Sequence, residues 1–301
     1  MSLELVERIA KAVLYEGYIL YPYRPSSVKN QRRFTFGVLV PPSYGALQSG
    51  AESSTMRTEC LVSGCPQTTV DVRVRFLQVM PGTWQNAIER EVSSGECVLA
   101  DLINSPRQET VRFAAEGADF QIEGTVTLTA RLLEERIYQL AVHIVNQTRL
   151  MDAENLSRDE IMPYSLAAVH TILEVRNGEF VSLLDPPDFL RAAAAECRNM
   201  GAWPVLAGEP DQRRWMLSSP IILYDYPQVA PESPGDLFDG TEIDEILTLR
   251  IMTLTDEEKA EIRNGDDHAR RILERTETLP EEHLMKLHGV LRSLKTVEES
   301  K

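Results

Sequence analysis

The sequence predicts an α+β protein: an antiparallel β-rich body, either a sandwich or a curved sheet, with an N-terminal helix and a helical C-terminal region. Three observations carry this. Leu3, Leu5, Val6, Ile9, Ala10, Val13 and Leu14 fall on one helical face at the start. From about residue 57 to 149 the pattern has period two, as in "TVDVRVRFLQV". After residue 240, Thr255-x-x-Glu258 and Thr278-x-x-Glu281 both fit the capping box, in which hydroxyl and carboxylate satisfy free N–H groups at a helix start. We therefore divide the chain at 1–239, the mixed β-rich body, and 240–301, a helical region that packs on it or mediates association.

In chain order, Gly17 gives the first helix a place to end. Pro22 and Pro25 interrupt the chain before an apolar run, Phe34 to Val40, which reads as a strand. Val70, Val72, Val74 and Phe76 alternate with Asp71, Arg73 and Arg75, so one face of that strand is buried. "FQIEGTVTLTARLLEE" and "RIYQLAVHIVNQT" read as a long antiparallel pair turning near Glu134 and Glu135. In "TILEVRNGEFVSLL", Asn177-Gly178 between two alternating runs predicts a hairpin. "DPPDFLRAAAAECRNMG" predicts a helix near 187–199, and "SSPIILYDYP" a short strand stopped by Pro227. The last helix would carry Leu284, Leu287, Leu291 and Leu294 on one face.

A 301-residue chain with 43% hydrophobic residues can bury a real core. No apolar run approaches the roughly 18 residues of a membrane helix, and the start lacks the basic and apolar regions of a signal peptide. A cytoplasmic protein without membrane insertion is expected. The formal charge of −15 argues against a general nucleic-acid binder, which needs a basic face to displace counterions. Four cysteines are too few for a disulfide scaffold.

Two charged stretches stand out. "LYDYPQVAPESPGDLFDGTEIDE" (223–245) has many acids and no lysine or arginine. Asp239 and Glu242, or Thr241 and Asp244, can cap the helix that follows, with Ile243, Ile246, Leu247, Ile251 and Leu254 as its buried stripe. Capping leaves Tyr224, Asp225, Tyr226, Glu232 and Asp236 unexplained; prolines stiffen this part, which suits docking on the same chain or on a partner. The counterpart is "YPYRPSSVKNQRR", where Tyr21, Tyr23, Arg24, Lys29, Arg32 and Arg33 could hold a phosphate or an acidic segment. The two stretches are expected to meet, within one chain or across a homo-oligomer.

Signals for chemistry are sparse. Cys60 and Cys65 form half of a zinc site at C-x4-C, and the other half is missing, so they read as structural thiols. The order of acids matches no calcium loop, and there is no nucleophile elbow or glycine-rich phosphate loop. No catalytic residue, metal or cofactor is assigned. His170 could act as an acid or base but also fits a structural role. Asn146-Gln147-Thr148 matches a glycosylation sequon that an intracellular chain would not use.

"ILYPYRPSSVKNQRRFTFG", "GEFVSLLDPP" with "CRNMGAWPVLAGE", and "LSSPIILYDYPQVAPESPGDLFDGTEIDEILTLRIMTLTDEEK" together resemble uncharacterised bacterial proteins encoded in accessory gene clusters of high-affinity nickel-iron uptake hydrogenases. The 45–150 region carries the least of this similarity. The resemblance implies a cytoplasmic, non-enzymatic assembly or scaffold role, with a hydrogenase subunit or maturation protein as partner. It supplies no catalytic residues. The alternative is a small-molecule or metal-handling enzyme with its site between the basic loop 24–33 and the acidic stretch 225–245.

Overall fold

The structure is a computed structural model that describes residues 2–15, 36–81, 87–114, 121–210, 212–228, 244–264 and 267–278. Its elements are α1 (Ser2–Tyr15), α2 (Pro42–Leu47), β1 (Thr55–Val79), β2 (Ala87–Ser93), β3 (Cys97–Val98), β4 (Arg107–Ala114), β5 (Gln121–Glu134), β6 (Ile137–Asn146), α3 (Arg158–Ile161), β7 (Ala167–Val181), α4 (Arg191–Glu196), β8 (Trp203–Ala207), β9 (Trp215–Ser219), α5 (Asp244–Met252), α6 (Asp256–Arg263) and α7 (Asp267–Glu277). The class is α+β with a β-rich antiparallel body.

Among the described residues all strands join one sheet, in the order β4-β5-β6-β1-β7-β9-β8, with β2 and β3 also pairing with β1. The first part of β1 pairs with β6, from Thr55↔Val145 to Ser63↔Ile137. Its last part pairs with β2, from Arg73↔Ser93 to Val79↔Ala87. One edge of β1 thus changes neighbours midway, while β7 follows the other edge from Leu61 to Leu77. The arm β6-β5-β4 returns towards β2, where Arg90 lies 5.0 Å over the Phe113 ring and Phe76 meets Phe113 edge-on at 5.7 Å. The predicted alternation holds: Val70, Val72, Val74 and Phe76 join one buried core with Ile122, Val126, Leu128 and Leu140.

The NG hairpin is corrected. β7 runs unbroken through Asn177 and Gly178, because their partner is β1 rather than each other's flanks. Asn177 does take a positive φ of 55°, but as part of an irregular pairing in which β1 carries extra residues between Gly64 and Thr69. Thr68 Oγ1 donates to Asn177 O at 2.6 Å, and a Cβ at Gly178 would lie 2.8 Å from Ser63 O. The close approach explains the glycine.

Three further expectations shift. The run to Val40 is not a strand among its described residues: Gly37 has φ 54°, and only Leu39 bridges, to Ser53 and Leu166. The helix near 187–199 is shorter, a 3-10 turn (Asp188–Leu190) followed by α4, which ends at Glu196 because Cys197 is extended and leads the chain to the edge of β1. The strand expected in "SSPIILYDYP" ends at Ser219, and the chain leaves the sheet at Pro220. By contrast, Glu135 and Arg136 form the expected turn between β5 and β6.

The helices cover the sheet through their apolar faces. Val6, Ile9, Ala10 and Val13 of α1 pack on Ile172, Ala207, Trp215 and Leu217; each large side chain so buried contributes roughly 1.5–3 kcal/mol. Leu247, Ile251, Leu254, Ile262, Ile272 and Leu273 share a second buried cluster with Leu14, Val40 and Leu77. Thr255 and Glu258 form the predicted capping box at the start of α6. Ile243, Glu281 and the leucines at 284–294 lie outside the described residues, as do the capping residues 239–242; nothing is described of the Ile246 side chain. Among the described residues, no helix is long and apolar enough to cross a membrane.

Candidate functional site

The outer face of β5, β6 and β1 is polar where the inner face is not. Antiparallel register places Thr127, His143 and Arg57 in one row, Thr129, Ala141 and Glu59 in the next, and Arg131, Gln139 and Leu61 in a third. Residues two apart share a face, so all three rows face the same side. β7 pairs with this edge of β1 as far as Leu61↔Val181. Beyond it, residues 198–200 take over: Arg57 N donates to Met200 O at 3.0 Å, Met200 N returns a bond to Arg57 O at 2.9 Å, and Glu59 N donates to Asn199 Oδ1 at 2.7 Å. With the end of α4, this segment walls an open cleft of about 680 Å³.

Glu59 organises the cleft. Its side chain is only 6% exposed, and a carboxylate so buried needs partners to offset lost hydration. Arg57 Nε donates to Oε1 at 2.7 Å and Arg57 Nη2 makes a second, shorter contact. Gln139 Nε2 donates to Oε2 at 3.1 Å, and the Arg198 backbone N–H to the same oxygen at 2.7 Å. One carboxylate thereby fixes a guanidinium, an amide and the segment carrying Arg198. Arg131, 61% exposed, reaches Glu196 only at 3.8 Å. Burial, with the nearby Arg57 charge, lowers the pKa of His143.

Cys60 and Cys65 lie in different surroundings on β1. Cys60 is fully buried in the core, whereas Cys65 lies five residues on, in the irregular part of β1, so an extended strand holds them apart. Burial raises the Cys60 thiol pKa; hydrogen bonds from Gln67 and Thr68 lower that of Cys65. Cys197 borders the cleft region, with Gln139 Nε2 3.8 Å from its sulfur, and burial raises its pKa. Among the described residues, no group of three or more His, Cys, Asp or Glu side chains could hold a metal ion. His170 is structural: Nδ1 lies 3.0 Å from Ala168 O, and burial pushes its pKa down to about 4. Asn146 is also buried, its Nδ2 donating to Leu39 O and Tyr164 O, so the sequon is closed to modification in the folded chain.

Of the acidic stretch, Asp225 and Tyr226 dock on the chain itself. Asp225 accepts from Ser182 Oγ at 2.5 Å and from Leu206 N at 2.8 Å, while Tyr226 N donates to Leu206 O at 2.7 Å. Leu206 is in β8, the last strand in the sheet order, so these bonds cover its free edge; Pro204, with no N–H, blunts the same strand. Tyr226 takes φ 56° and packs against the main core, while Tyr224 stands 85% exposed. Tyr21, Tyr23, Arg24, Lys29, Arg32, Arg33, Glu232 and Asp236 lie outside the described residues, and with them the expected meeting of the two charged stretches.

Sequence reasoning missed the cleft because its residues come from β1, β5, β6 and the turn after α4. A signal existed for part of it: a β5–β6 hairpin turning near 134–135 puts Arg131 and Gln139 side by side. Nothing local marks Arg198. No protein-family model matches the chain, and no curated protein matches it.

Proposed function

We propose that the chain is a cytoplasmic accessory or assembly protein of a bacterial nickel-iron hydrogenase system, acting by binding a hydrogenase subunit or a maturation protein rather than by turnover. The sequence resemblance of the 19–37, 178–187, 197–209 and 217–259 stretches supports the context. One structural observation supports binding through the last of these. Asp225 and Tyr226 anchor the segment to β8, while next to that anchor Ile222 and Tyr224 stand 74% and 85% exposed. An apolar and an aromatic side chain held outward on a fixed backbone lose little entropy when a partner covers them.

A tagged copy expressed in a host making such a hydrogenase tests this. Capture of a hydrogenase subunit or maturation protein is expected, and its loss in Ile222→Ser/Tyr224→Ser at unchanged Tm. Recovery of no hydrogenase-related protein, or equal capture by the double variant, would refute the proposal.

A further inference from the structure

We propose that the cleft between β5, β6, β1 and α4 is a binding site for a small polyanion, a compound with at least two carboxylate or phosphate groups. The inference stands apart from the partner-binding role and uses different residues. Three guanidiniums from separate parts of the chain line one cavity: Arg57 from β1, Arg131 from β5, Arg198 from the turn after α4. The facing acids are Glu59 and Glu196. Glu59 is already spent on four contacts, from Arg57, Gln139 and the Arg198 backbone. Glu196 is 69% exposed and 3.8 Å from Arg131, a solvent-screened pair that competes only weakly for the guanidinium. The Arg198 side chain has no carboxylate partner among the described residues. Cations therefore exceed acids in this cleft, although the chain carries −15 overall.

What makes the excess useful is its convergence on one cavity, since the forked guanidinium matches a carboxylate or phosphate edge with two donors. The site is also preorganised. Glu59 holds Arg57 in place, and the backbone of 198–200 is tied to β1 by bonds of 2.7–3.0 Å. A cavity of about 680 Å³ is within the size range of small-molecule sites, and its arginine, glutamine and threonine lining favours a hydrated anion over an apolar ligand.

The test is calorimetric titration of the full chain with citrate and with pyrophosphate, at ionic strength held constant with chloride. Saturable binding of one equivalent of either is expected, and which one binds tells carboxylate from phosphate chemistry. Arg131→Gln and Arg198→Gln, whose side chains lie at the surface, should each weaken binding at least tenfold at unchanged Tm. Glu196→Gln, which removes a competing acid, should tighten it about two- to threefold, and Arg107→Gln on β4 should leave it unchanged. Absence of binding for both anions up to millimolar concentration, or equal affinity in the Arg131 and Arg198 variants, would overturn the proposal.

Discussion

β1 carries a charge cluster at each end, and the two have opposite fates. Near its C-terminal end, Arg73 and Arg75 are covered by α1 and β2: Glu7 accepts from Arg73 at 2.9 Å and contacts Arg75 at 2.5 Å, and Glu91 takes Arg75 at 2.6 Å. Those contacts use each of these arginines to fasten a helix or a strand. Near the N-terminal end, Arg57 is tied to Glu59, but Arg131, with only a solvent-exposed contact to Glu196 at 3.8 Å, and Arg198 line the same cleft. A charged cluster on a strand is structural when each member is paired across a packed element, and is a candidate for binding when cations are left over.

The largest expected effect concerns the α1 end. His170, register partner of Arg75, is buried and neutral with a pKa near 4, against 6.5 in the unfolded chain. Only the unfolded state takes up a proton between those values, so the His170 contribution to stability is constant above about pH 6.5 and is lost as pH drops towards 4, by roughly 3 kcal/mol in all. Denaturant melts across pH 4–7 check this, and His170→Gln should flatten that part of the profile.

Next, Glu59→Ala should cost about 2–3 kcal/mol, because it leaves a buried Gln139 amide and the Arg198 N–H without their acceptor. Glu7→Ala should cost only about 0.5–1 kcal/mol, since Glu7 is 32% exposed and its arginines keep access to water. Equal losses in chemical denaturation would erase the contrast between the two ends. The smallest effect is Thr255→Ala, about 0.5 kcal/mol, the low end for an exposed cap, from loss of the capping box at α6, distant from either cluster; it calibrates what a purely local change does.

How much of this was legible depended on whether the determining contacts were local. The apolar face of α1, the β5–β6 turn and the Thr255 capping box are specified within a few residues, and sequence reading finds them. Asn177-Gly178 misleads because its conformation is a turn residue's while its hydrogen bonds go to β1, over a hundred residues earlier. β8 is hidden by Pro204, which an edge strand tolerates. Asp225 reads as one acid among many until Ser182 and Leu206 are brought beside it. The cleft is the extreme case, since its Arg198 is placed by its own N–H on the Glu59 carboxylate and by the neighbouring Met200 backbone bonds to Arg57, which no local pattern foretells.

The most direct test of the contrast is to follow the arginine Nε–Hε signals by NMR while titrating pyrophosphate, with citrate in a second series, at constant ionic strength. With the anion that binds, the signals of Arg131 and Arg198 should shift and saturate together while those of Arg57, Arg73 and Arg75, already engaged by Glu59, Glu7 and Glu91, move little. Equal movement of both sets, or no movement at Arg131 and Arg198 with either anion, would contradict the assignment of the cleft as an anion site.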